Sequence, residues 1–226
     1  MRIFTFPRAF NLVVFFFLSF SIAEAQQAPF SSEIQQFKKE DSINFPAKNA
    51  ILILGSSSFR KWTDVQDYFP AYQIINRGFG GSSFPDAIYY FDKIVLPYHP
   101  RQILIYEGDN DLASSNKITP DSVLNRFKTL FYLIRKNLPK TNIAFVSIKP
   151  SLSREKLIPE MAKANSLIQS FLKDKKNASF IDVFHAMLDE SGKPRKDIFL
   201  SDGLHMNAKG YAIWQKIIEP YLIKNK

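Results

Sequence analysis

The stretch Ala50-Ile51-Leu52-Ile53-Leu54-Gly55-Ser56-Ser57-Ser58 decides the fold of this 226-residue chain. Its apolar run has no polar alternation and is bounded by Asn49 and Gly55, so it reads as a strand buried on both faces. A strand of that kind belongs to a parallel sheet covered by helices. Residues just past its carboxyl end lie where such sheets carry their ligands. Working outward, the same pattern recurs over Tyr72–Asn76 (ending at Gly78), Gln102–Tyr106 (ending at Gly108), Asn142–Ile148 (ending at Pro150) and Ser179–Val183.

Helical patterns separate these runs. Thr119-Pro120-Asp121 supplies an N-cap, a proline at the first helical position and an acid in the first turn. The apolar stripe Val123, Leu124, Phe127, Leu130, Phe131 and Ile134 follows, and the helix stops near Pro139. Further helices are expected over Pro85–Leu96, Met161–Phe171 and Asn207–Ile223. Strand and helix in alternation imply right-handed crossovers and an α/β protein, a three-layer α/β/α sandwich.

The N-terminus reads as an address. Arg2 and Arg8 precede an apolar stretch from Leu12 to Phe20, and Ala23-Glu24-Ala25 has small residues at a cleavage spacing. That is the pattern of a secretory signal peptide over residues 1–25, with a mature chain starting near Gln26. The apolar core is shorter than the ~20 residues that span a bilayer, which argues against stable membrane insertion after cleavage. The expected location is therefore exported, periplasmic or secreted. Residues 26–226 suffice for one domain with a substantial core. The chain holds no cysteine, so disulfides, thiolate nucleophiles and cysteine-ligated zinc are excluded. Its net charge of +9 is spread over lysines that do not cluster, which points away from a nucleic-acid partner.

Four short segments carry the chemistry: Gly55-Ser56-Ser57-Ser58, Asn76-Arg77-Gly78-Phe79-Gly80-Gly81, Gly108-Asp109-Asn110-Asp111 and Asp202-Gly203-Leu204-His205. They offer a serine, a glycine amide, a side-chain amide, and a carboxylate three residues before an imidazole. Together these are the parts of acyl transfer through a serine: nucleophile, oxyanion donors, general base and base-orienting acid. The run of three serines leaves the nucleophile open on chemistry alone. Of the three histidines, His205 is singled out as the base: it follows Asp202 by three residues, close enough for that acid to bond Nδ1 and leave Nε2 facing the serine. His185 reads as a partly buried, satisfied residue and His99 as a surface residue in a turn. The glycine run lacks the lysine of a phosphate loop, so no nucleotide site is expected. The histidines lack metal-ligand spacing, and neither metal nor cofactor is expected.

In these four blocks the sequence resembles the SGNH hydrolases, also called the GDSL esterase/lipase family, over Ala50 to about Tyr211. The long form Gly55-Ser56-Ser57-Ser58-Phe59-Arg60-Lys61-Trp62 is similar to a branch akin to platelet-activating-factor acetylhydrolases. One departure stands out: the family's Gly-Asp-Ser reads Gly55-Ser56-Ser57 here. The resemblance implies a flavodoxin-like five-stranded parallel sheet. It selects Ser57 as nucleophile, with Asp202 and His205 completing the triad, and the oxyanion donors Ser57, Gly81 and Asn110. Asp111 is expected to order its loop, and Arg60, Trp62 and Arg77 to lie beside the site. The implied activity is hydrolysis of carboxylic esters, with a short acyl group such as acetyl on carbohydrate or lipid. Longer acyl chains, as in a lysophospholipase or thioesterase, are the alternative, and a non-catalytic glycan-binding module is the rival from another class.

Overall fold

Apolar residues on both faces of the strands force helices onto both sides of the sheet. The computed structural model describes residues 28–224, so the expected targeting segment lies outside the described residues. Five strands, β1 (Ile51–Gly55), β2 (Ile74–Gly78), β3 (Gln102–Tyr106), β4 (Asn142–Val146) and β5 (Ala178–Ile181), form one parallel sheet. Their order is β2-β1-β3-β4-β5, the flavodoxin-like arrangement. The helices in chain order are α1 (Ser31–Ile43), α2 (Ser57–Arg60), α3 (Val65–Tyr68), α4 (Phe84–Tyr89) and α5 (Phe91–Ile94). After them come α6 (Asp109–Ser114), α7 (Pro120–Asn137), α8 (Ile158–Leu172) and α9 (Ala208–Ile218).

Successive strand residues point to opposite layers and build two cores. Leu52, Leu54, Ile103, Ile105, Ile143 and Phe145 pack with residues of α4, α5, α7 and α8. Ile51, Ile53, Leu104, Tyr106, Ala144 and Val146 pack with Phe59, Trp62, Trp214 and neighbours from α2, α3 and α9. The result is the expected three-layer α/β/α sandwich. The stripe read for α7 is buried at Val123, Phe127, Leu130, Phe131 and Ile134, and Thr119 caps it by accepting the Ser122 N–H.

Register gathers the motif loops. Gly55 at the end of β1 aligns with Gly78 of β2 on one side and Tyr106 of β3 on the other. A Cβ at Gly55 would lie 2.1 Å from the Tyr106 carbonyl oxygen, so the close approach needs glycine. The three strands therefore release their chains at one level, and the segments that follow converge.

Several boundaries differ from the sequence reading. The second strand is Ile74–Gly78, because Tyr72 belongs to the core around Trp62 instead of the ladder. The helix expected over Pro85–Leu96 is two pieces, with Tyr90 at the break and a 3-10 turn at Leu96–Tyr98. The final helix stops at Ile218, where Glu219-Pro220-Tyr221 continues as a 3-10 turn. Helix α1 had no counterpart in the sequence reading; only Ile34 within it is buried, so its apolar stripe is thin.

Candidate active site

Serine 57 is the first residue of α2, directly after the strand-to-helix turn. The turn is tied down on both sides: Ser56 donates its N–H to the Tyr106 carbonyl, and Phe59 and Arg60 donate theirs to the Ser56 carbonyl. Ser56 and Ser58 are buried, whereas Ser57 is only partly so. The Ser56 hydroxyl finds no hydrogen-bond partner among the described residues. Geometry thus separates three chemically equivalent serines by exposure.

Ser57 Oγ lies 2.9 Å from His205 Nε2, across 148 residues of chain. On the other side of the ring, His205 Nδ1 meets Asp202 Oδ2 at 2.6 Å. The second oxygen of Asp202 accepts the backbone N–H groups of Leu204 and His205, each at 2.9 Å. With Asp202 accepting from Nδ1, Nε2 is left as the acceptor that faces the serine. Burial pushes the Asp202 carboxyl up, but the His205 ring and the two amides outweigh it and hold it well below the usual carboxylate range. The carboxylate needed to support an imidazolium is thereby kept charged.

The proposed donors come from two further loops. Gly81 has φ +80° and nothing within 4 Å of where a Cβ would stand, so its backbone is open to an incoming group. Asn110 sits in the first turn of α6, entered through Gly108 at φ +113°. A side chain at Gly108 would strike Ile148 at 2.6 Å, which explains glycine there twice over. Asn110 Nδ2 donates to the Ser82 carbonyl at 2.8 Å, linking the Asn110 loop to the one that carries Gly81. Among the described residues, the amides of Ser57 and Gly81 donate to no protein acceptor. These bonds make two groups of the five residues singled out by sequence: Ser57, His205 and Asp202 in one, and Asn110 with the Gly81 loop in the other.

The neighbouring residues sort by contact. Asp111 is buried, pairs with Arg126 at 2.7 Å and accepts the Phe84 N–H, so it orders its loop. Arg77 is buried against Asp41 and the Tyr98 hydroxyl, and Trp62 is in the core, so neither faces substrate. Arg60 is exposed and pairs with Glu33 at 2.8 Å. His99 lies exposed in a left-handed turn, as expected. His185 corrects its expectation: its side chain is 78% exposed and bonded to Asp182, not partly buried.

Sequence reasoning passed over Glu33, Ser82, Lys149 and Arg154. Glu33 accepts the Gly80 N–H at 3.1 Å, and Arg154 Nη2 donates to Asn110 Oδ1 at 2.7 Å. Lys149 is 1% exposed, and its amine lies 4.0 Å from Asp109. A signal for the last two existed: Lys149 and Arg154 follow the carboxyl end of the fourth strand, where this fold places its chemistry.

Comparison with known proteins agrees with this fold. The profile of the GDSL-like lipase/acylhydrolase family matches residues 48–213, and the chain belongs to that family of ester hydrolases. A candidate platelet activating factor from Streptococcus pneumonia superposes with TM-score 0.74 at 23% identity, covering 85% of this chain and 92% of that one. A GDSL-like lipase from Bacteroides thetaiotaomicron gives 0.70 at 19% identity, covering 84% and 97%. An acetylxylan esterase from Geobacillus stearothermophilus gives 0.61 at 12% identity, covering 77% and 94%. At these identities the structures show a shared fold. By sequence, the chain is 26% identical over 176 residues to an N-acylneuraminate cytidylyltransferase of Escherichia coli, and it spans 40% of that protein's length.

Proposed function

We propose that this chain is an exported esterase that removes short acyl groups, acetyl foremost, from carbohydrate or lipid esters through an acyl-serine intermediate. The 2.9 Å approach of Ser57 Oγ to His205 Nε2 carries the reading. In the first half-reaction His205 Nε2 takes the hydroxyl proton while Ser57 Oγ attacks the ester carbonyl. The developing oxyanion rests on the amides of Ser57 and Gly81 and on Asn110 Nδ2, whose second N–H is not used by Ser82. Asp202 stabilises the imidazolium, which then gives its proton to the departing alcohol. Water repeats the sequence on the acyl-serine and frees the acid.

Two similar proteins bear names that concern sugars, an acetylxylan esterase and an N-acylneuraminate cytidylyltransferase, and this supports a carbohydrate substrate. The leader pattern of residues 1–25 supports export. The test is to assay the purified chain from Gln26 onward on acetylated sugars, lysophospholipids and nitrophenyl esters of two to sixteen carbons, beside Ser57→Ala. Activity highest on acetyl esters and absent from Ser57→Ala is expected. Activity rising with chain length would replace the acetyl preference with a lysophospholipase or thioesterase. Failure of a fluorophosphonate to label Ser57 would overturn the acyl-serine mechanism.

A further inference from the structure

An amide has two ends of nearly equal shape, and only one of them can stabilise an oxyanion. What faces Asn110 therefore decides its competence. The guanidinium of Arg154 consists of donors alone, so the Asn110 atom at 2.7 Å from Arg154 Nη2 must be the carbonyl oxygen. Nδ2 is thereby turned to the side of the Ser82 carbonyl and the Gly81 loop. A cation on Oδ1 also draws electron density from the amide and makes its N–H groups stronger donors.

Arg154 is itself held. Its Nη1 lies 3.0 Å from Asp109 Oδ2, and Asp109 Oδ1 accepts the Asn110 N–H at 2.9 Å. Asp109 thus grips both the backbone of Asn110 and the cation on its side chain. Beneath this pair lies Lys149, 1% exposed, whose amine has no hydrogen-bond partner among the described residues and sits 6.0 Å from the ring centroids of Tyr106 and Phe199. One residue before Arg154, the Ser153 N–H donates to the Gly203 carbonyl at 3.1 Å. The turn at Leu152–Leu157 therefore touches the oxyanion side through Arg154 and the Asp202–His205 loop through Ser153.

We propose that Arg154 is a positioning residue for the oxyanion amide: it fixes Asn110 with its N–H edge toward the reacting group and braces that donor against the loop of the general base. This rests on the acyl-serine reading above. It adds a fifth segment, after β4, to the four that the sequence made visible. Arg154 acts through Asn110 and not on the substrate, so its contribution belongs to the transition state.

The experiment is a double-mutant cycle on an acetyl ester with Arg154→Ala, Asn110→Ala and the pair, beside Ser57→Ala. Arg154→Ala is expected to lower kcat about 10- to 100-fold, short of the 10²–10³ for losing a donor outright, with KM within about twofold. Adding it to Asn110→Ala is expected to cost nothing more. Millimolar guanidinium is expected to restore part of the kcat of Arg154→Ala and none of the double variant's. Should Arg154→Ala not fold, Arg154→Lys, which keeps the charge and loses the fork, is expected to retain KM and lose kcat. Independent, additive losses, or a loss confined to KM, would make Arg154 a structural or binding residue and overturn the proposal. If Arg154→Ala matches wild type while Ser57→Ala is dead, this inference fails alone. If wild type neither cleaves acetyl esters nor takes the fluorophosphonate label, both fall.

Discussion

The carboxylate of Glu33, on α1, accepts the backbone N–H of Gly80 at 3.1 Å although 47 residues separate the two. The same oxygen pairs with Arg60 at 2.8 Å, three residues past Ser57. One acid thus fastens the loop of a proposed oxyanion donor to the helix of the proposed nucleophile. Helix α1 precedes the segment that the family profile covers, which begins at residue 48. An element that precedes the matched segment therefore supports the geometry of the candidate site.

Removing that acid should loosen the Gly81 loop without dismantling the fold. Glu33→Ala is expected to lower kcat about tenfold, equivalent to ~1.4 kcal/mol, at the upper end of the range for an ordinary intramolecular hydrogen bond. Glu33→Gln keeps an oxygen acceptor for Gly80 and should stay within about threefold of wild type. Steady-state kinetics of both variants check this; equal losses in the two would assign the effect to the Arg60 ion pair.

Gly55→Ala tests the close approach of β1 and β3. The added methyl would stand 2.1 Å from the Tyr106 carbonyl oxygen, which is strand backbone and cannot swing aside. Overpacking of that kind should cost about 3 kcal/mol or more. The drop would be read from the midpoint of urea unfolding. A variant as stable as wild type would mean that the strands can separate at this point.

How much of this was legible beforehand follows from the distances over which each feature is encoded. Strands such as Ala50–Leu54 announce themselves because burial on both faces leaves an unbroken apolar run. Asp202 and His205 stood out because they share one compact local motif, whereas the family resemblance was needed to select Ser57 from its two neighbours. Helix α1 did not, since a single buried residue, Ile34, leaves no stripe to detect. Glu33 and Arg154 were missed because their partners lie 47 and 44 residues away; Glu33 has no local signature, and the position of Arg154 after the fourth strand went unused. The helical start at Asp109 was hidden for another reason: Gly108 enters it in a left-handed conformation, so the segment reads as a turn.

Asp202→Asn tests the tautomer argument. An amide can turn its N–H toward Nδ1, which moves the ring proton to Nε2 and removes the acceptor that faces Ser57. The expected loss in kcat is about 10³–10⁴-fold with KM little changed. The same carboxyl gives a stability signature, because its folded pKa lies below the ordinary value. Its contribution is present above about pH 4 and is lost as pH falls below that. Thermal unfolding of wild type and variant should therefore converge in acid and diverge toward neutral pH.

Lys149 offers the converse signature. Burial drives its ammonium down to about 8 from an ordinary 10.5, against the opposing pull of Asp109. Between those two values the unfolded chain binds more protons than the folded one, so this residue makes stability rise with pH from about 8 to 10.5. Below pH 8 the charged amine, buried and without a hydrogen bond, costs on the order of 3 kcal/mol. Lys149→Met fills similar space and removes that charge. It should be more stable than wild type at pH 7, and the difference should shrink as pH climbs toward 10. Activity should fall at the same time, because Asp109 loses the cation beneath it while it still has to hold Arg154 and the Asn110 amide. Urea unfolding of both proteins from pH 7 to 10 reads the first effect and acetyl-ester turnover at pH 7 the second. A variant less stable than wild type at neutral pH would show that the amine is a net stabilising partner of Asp109.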